Sequence, residues 1–129
     1  MHQEKQLAIF LANRPGTLAQ VCAALAEKDV NILALTVSDT IDHAVVRMVV
    51  DRPMEATHLL GEAGMLVVES DVVVVDVENR PGALAELALK CADAGLNIEY
   101  AYCTAHSDQD KSMFVLRTRD IEKATTALK

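Results

Sequence analysis

The side chains placed where they could do chemistry are two histidines and the four asparagines of the chain. His43 closes "DTIDH" and His106 stands in "AHSDQDK", each near carboxylates, an arrangement that could serve general acid–base catalysis or hold a metal ion. Both segments are rich in Asp with Ser or Thr, as solvated turns are. No Ser-His-Asp set, Walker loop, GxGxxG or HExxH accompanies them. The expectation is no catalytic residue, no metal site and no cofactor.

The asparagines are more informative because they recur in pairs. Asn13 opens "NRPGTLAQ" and Asn79 opens "NRPGALAE", 66 residues later. Asn31 and Asn97 stand within "VNI" and "LNI", each at the start of an apolar run. Pro restricts φ and Gly tolerates positive φ, so Pro15-Gly16 and Pro81-Gly82 can turn the chain sharply from strand into helix. The first helical N–H groups beyond such a turn lack intrahelical partners and form a small anion site, suited to an amino acid's carboxylate. An Asn amide offers both donors and acceptors, which fits the ammonium and carboxylate of one amino acid. The plain structural alternative makes Pro-Gly a compact connection and each Asn a turn or capping residue.

The elements that must hold these groups follow from the apolar pattern. Residues 7–12, "LAIFLA", read as a strand, and from Thr17 the positions Leu18, Val21, Cys22 and Leu25 recur at helical spacing. "VNILALTVS" and "AVVRMVV" flank a hairpin turn at "DTIDH". Pro53 fits the first position of a helix whose inward face is Ala56, Leu59, Leu60 and Ala63, with Gly64 at C′, and "MLVVE" supplies a fourth strand. The second half repeats the order with "VVVVDV", a helix face of Leu84, Leu87, Ala88 and Cys91, and the hairpin "LNIEYAYCT" and "SMFVLRT". Ala124, Thr125 and Leu128 then correspond to Ala56, Thr57 and Leu60, and Lys129 falls opposite Gly61. This order predicts an α+β chain of two ferredoxin-like βαββαβ units in tandem, residues 1–70 and 71–129. Each unit has an antiparallel sheet with helices on one face, and the second lacks its last strand.

Composition narrows the partners. The formal net charge of −7 repels a phosphate backbone, and an aromatic fraction of 3% without Trp leaves few rings to stack on bases. Nucleic acid is not an expected partner. No apolar run approaches the ~20 residues that span a bilayer, and "MHQEKQ" is too polar for a signal peptide, so no membrane partner and a cytoplasmic location are expected. Cys22, Cys91 and Cys103 are odd in number and lack CxxC spacing, which points away from disulfides and zinc. The first two read as small buried side chains on helix faces.

"NRPGTLAQVCAALAEKDVNI" and "NRPGALAELALKCADAGLNI" together resemble the ACT domain, a βαββαβ regulatory module that binds amino acids and other small molecules. The resemblance covers nearly the whole chain as a tandem pair. In amino-acid-sensing members the effector sits where two units meet, between the first loop and the start of the second strand. The resemblance thus implies one candidate site of Asn13, Gly16, Thr17, Leu18 and Asn31, and another of Asn79, Gly82, Ala83, Leu84 and Asn97. Serine-sensing members of the phosphoglycerate dehydrogenase type have a His two residues before the loop Asn, where this chain has Leu11 and Val77. A more apolar effector follows.

The function implied is a non-catalytic regulatory module for a small amino acid. Two alternatives stand beside it. One is the regulatory subunit of a separate enzyme, as in the acetolactate synthase small subunit, which "NILALTV" resembles; the other is a purely structural oligomerisation module. The missing last strand leaves the edge of Val72–Val77 uncovered, so a homodimer is expected; the alternative is that the polar N-terminal segment or the first unit covers that edge within one chain.

Overall fold

The structure is a computed structural model that describes residues 1–39, 43–105 and 110–129. His106 and most of the two expected hairpin turns lie outside the described residues. The elements are β1 (His2–Ala12), α1 (Thr17–Glu27), β2 (Ile32–Asp39), β3 (His43–Val50), α2 (Pro53–Glu62), β4 (Leu66–Glu78), α3 (Ala83–Asp93), β5 (Tyr100–Ala105), β6 (Lys111–Arg117) and α4 (Ile121–Ala127). They form two compact units, one of Lys5–Ser70 and the other of Met1–Glu4 with Asp71–Lys129.

In the unit Lys5–Ser70 the strands lie in the order β2, β3, β1, β4. Antiparallel pairing sets Leu7 opposite Met48 and Ile9 opposite Val46, and Leu35 opposite Met48 from the other side. Because side chains alternate across a strand, this register puts Leu7, Ile9, Leu11, Val46, Met48 and Val50 on one face. Val21 and Leu25 of α1 and Ala56 and Leu60 of α2 close over that face, and all ten are buried in one core. Both helices therefore cover the same side of the sheet. Thr57 of α2 adds a hydrogen bond to Glu69 of β4, Oγ1 to Oε1 at 2.9 Å.

The other unit repeats the plan with β1, β4, β6 and β5 in order. Val73 faces Leu116 and Val75 faces Phe114, and the core joins Val73, Val75, Val77 and Leu116 to Ala83, Leu87 and Cys91 of α3 and to Ala124 and Leu128 of α4. Leu84 and Ala88, expected on the inward face of α3, are exposed. The buried stripe is instead Ala83, Leu87 and Cys91, a run of i, i+4, i+8 that begins at the first helical residue. Ala63, expected inward on α2, is the exposed C-cap of that helix. Burial pushes the Cys91 thiol above its ordinary pKa, as expected for a side chain that packs rather than reacts.

Two further expectations change. "MLVVE" and "VVVVDV" are one strand, β4, because Ser70-Asp71 contains neither Gly nor Pro to break an extended chain. The β4 edge expected to be uncovered also has a neighbour: β4 has β6 on one side and β1 on the other, and Met1–Glu4 clusters with Asp71–Lys129. Val72 and Val73 are fully buried. The polar segment "HQE", residues 2–4, thus belongs to the unit of Asp71–Lys129.

A chain lacking residues 2–4 should keep the unit Lys5–Ser70 folded but expose the β4 edge near Val72. Amide hydrogen exchange would read this as at least a ~10-fold loss of protection at Val72–Val74, about 1.4 kcal/mol of opening free energy, with Val46 and Met48 unchanged. Equal protection in both chains would contradict the assignment of the N-terminal segment.

Candidate functional site

Each Asn-Arg-Pro-Gly segment is a tight turn between a strand and a helix. Gly16 has φ 92° and ψ −13°, and Gly82 has φ 88° and ψ −14°. These lie close to the third position of a type II turn with Pro at the second, and the Ala83 N–H closes the second copy on the Arg80 carbonyl at 3.3 Å. The glycine carbonyls start the helices by accepting from Gln20 and Glu86, both at 3.0 Å. No side chain caps either N-terminus, so the first-turn amides of α1 and α3 have no side-chain partner. In the first copy the Thr17 hydroxyl lies 3.0 Å from the Ala12 carbonyl and 3.1 Å from that of Arg14, to which it donates. Ala83 has no such group.

The candidate residues separate into two places in each unit. Asn13, Gly16, Thr17 and Leu18 follow the end of β1, where Ala12 pairs with His43 at the start of β3. Asn31 lies at the opposite end of β3. Its N–H donates to Asp51 Oδ1 at 3.0 Å, and its carbonyl accepts from the Asp51 N–H at 3.1 Å. With ~3.3 Å per residue, the length of β3 puts roughly 20–25 Å between Asn13 and Asn31. The second unit repeats this: the Asn79 N–H donates to the Asp110 carbonyl beside the start of β6, whereas the Glu99 N–H, next to Asn97, donates to the Arg117 carbonyl at its end. Asn79 shares a hollow with Arg80, Asp110 and Lys111, and Asn97 a separate one with Glu99, Arg119 and Lys123. Neither unit brings its two asparagines together.

Beside the second loop is a cavity of about 210 Å³. Val75, Val77, Ala83, Leu87 and Leu128 form its apolar walls, with Asp76, Glu78, Arg80, Glu86 and Lys90 around it. Arg80 is fixed at this rim. Its Nε donates to Glu78 and its Nη2 to Glu86, each at 2.7 Å, and Nη1 reaches the Pro81 carbonyl at 3.4 Å. The hydrogen bond from Arg80 holds the Glu86 carboxyl below its ordinary pKa, and the pair of carboxylates raises that of the guanidinium. Sequence reasoning did not single out Glu78 and Glu86. The available signal was the difference between copies, because Ala12 and Gln20 stand at the same positions of the first loop.

His43 is exposed at the start of β3, and among the described residues no group of three or more His, Cys, Asp and Glu could hold a metal ion. No helix among them is long and apolar enough to cross a membrane.

Each of the two units thus carries the same glycine turn between a strand and a helix. The chain matches the family of the ACT domain pair over residues 2–128 and belongs to it. A solved structure of a protein from Bacteroides thetaiotaomicron is 32% identical with a TM-score of 0.91, covering 98% of this chain and 86% of that one. The regulatory subunits of aspartate kinase from Thermus thermophilus and Thermus flavus superpose with TM-scores of 0.73 and 0.68, at 19% and 21% identity, over 98% of this chain and 91% of theirs. At that identity the likeness is one of fold. No curated protein matches the chain in sequence.

A side chain at either loop glycine would be strained by backbone conformation rather than by crowding, since a Cβ on Gly16 would meet nothing within 4 Å. Gly16→Ala and Gly82→Ala should each cost about 1–2 kcal/mol, read as a lower urea midpoint with an unchanged slope. An unaltered midpoint in both would show that the turn does not require positive φ.

Proposed function

We propose that this chain is a non-catalytic regulatory module that binds a small amino acid at its Pro-Gly loops. The observation behind this reading is the uncapped helix start that follows a left-handed glycine, in a chain of the ACT domain pair family. The carboxylate meets the amides after Gly16, with Asn13, Thr17 and Leu18 around it, or the matching group of Gly82, Asn79, Ala83 and Leu84. Leu11 and Val77 in the preceding strands favour a branched or apolar side chain over serine. Asn31 and Asn97 contribute from the strand starts of a second copy of the chain. The tandem layout, matched over residues 2–128, favours this reading over a single ACT unit with a distinct C-terminal domain. The response is passed to a separate enzyme of amino-acid metabolism in the cytoplasm.

A thermal-shift screen of the twenty amino acids tests the reading, because a ligand of the native state alone raises apparent stability by mass action. One or a few small amino acids should raise the melting temperature. Asn13→Ala should weaken their binding by about 1–3 kcal/mol through a lost hydrogen bond, and Asn31→Ala likewise if it faces the same ligand. Twenty flat responses would remove the proposal.

We also propose a homodimer, on grounds different from the sheet edge. Since one unit holds its two asparagines at opposite ends, a site that uses both takes its loop and its strand start from two copies of the chain. The effector then tightens the assembly and the assembly tightens effector binding. Sedimentation at micromolar concentration should show about twice the 14.0 kDa chain mass, with a smaller dissociation constant in the presence of effector. A single-chain species under both conditions would end this part of the account.

A further inference from the structure

The two copies of the loop share Asn-Arg-Pro-Gly but not their electrostatic surroundings. In the second copy three of the guanidinium's donors are engaged: Nε by Glu78, Nη2 by Glu86 and Nη1 by the Pro81 carbonyl. In the first copy the positions of Glu78 and Glu86 hold Ala12 and Gln20, and the exposed Arg14 side chain has no hydrogen-bond or ion-pair partner among the described residues. The contrast extends to the cavity beside the second loop. Asp76, Glu78, Arg80, Glu86 and Lys90 leave one net negative charge there, while the matching Phe10, Ala12, Arg14, Gln20 and Ala24 leave one net positive charge. Thr17 also gives the first copy a hydroxyl that Ala83 lacks.

Resting on the amino-acid-binding reading above, we infer that only the first loop accepts an amino acid's carboxylate, and that Glu78 and Glu86 close the second. A carboxylate approaching the amides after Gly82 meets two like charges, Glu78 and Glu86, each held 2.7 Å from the Arg80 guanidinium and already engaging its Nε and Nη2 donors. One approaching the amides after Gly16 meets Arg14 with its fork unoccupied. An Arg guanidinium presents paired N–H groups that match a carboxylate, so the free copy gains both charge and geometry. The tandem repeat is thus one binding unit joined to one self-satisfied copy. Glu78 and Glu86 are specificity-determining residues that act through Arg80.

Calorimetric titration of the full chain with each of the twenty amino acids tests this by stoichiometry. The expected result is one bound amino acid per chain. Glu78→Ala with Glu86→Gln should raise the count to two, and Ala12→Glu with Gln20→Glu should weaken the single site at least tenfold. Gln20→Glu alone, on the exposed surface of α1, serves if the double variant does not fold. Two equivalent sites in the native chain would overturn the inference and leave the amino-acid-binding reading standing. A count that stays at one after Glu78 and Glu86 are replaced would overturn their assigned role. No heat with any of the twenty, in the native chain and the variants, would overturn the reading beneath it and this inference together.

Discussion

A left-handed glycine directly after a proline, at the junction of strand and helix, is the constraint on which each unit depends. Proline fixes φ on entry and glycine supplies the positive φ that an L side chain adopts only with strain. The chain thereby leaves β1 or β4 and begins a helix within four residues. That starting point sets the rotation of the helix. In α1 it brings Val21 and Leu25 onto Leu7, Ile9 and Val46, and in α3 it brings Ala83, Leu87 and Cys91 onto Val73 and Val75. The same turn leaves the first helical amides without a side-chain cap. Packing and the candidate site are thus two results of one backbone conformation.

Much of the fold was legible because it is written twice. Alternation in "LAIFLA" and helical spacing after Thr17 each gave an ambiguous signal, but their recurrence around a second Asn-Arg-Pro-Gly fixed the order of elements. What the repeat could not show was any feature the copies do not share. Ser70-Asp71 looked like a gap between strands, yet nothing there stops an extended chain, and β4 runs through it. The N-terminal "HQE" has no apolar alternation, and its place beside β4 depends on a vacant edge rather than on its own composition. The inward stripe of α3 holds Leu87 and Cys91 as expected but begins at Ala83 rather than Leu84. Leu84 drew the count toward larger side chains, while the small Ala83 is the one that is buried.

The candidate site shows a similar division. The glycines and the loop asparagine stand where their residue types suggested, on the turn. The strand-start asparagines have the right chemistry but lie at the other end of β3 and β6, a separation that follows from strand length and not from sequence spacing. Helix α1 runs back along the sheet between them, about 16 Å for its 11 residues, so no loop adjustment within a unit can join them. The ion pairs of Arg80 went unread because attention to identity between the copies hides the differences that give each copy its charge.

The central claim is that the amides after the left-handed glycine are the contact point of an amino acid. Mapping backbone amide shifts by two-dimensional NMR during titration with a mixture of the twenty amino acids addresses that claim residue by residue. The account predicts concentration-dependent shifts at Gly16, Thr17 and Leu18 that exceed those in the core strands. Shifts confined to residues distant from both loops, or a spectrum unchanged at millimolar amino acid, would contradict it.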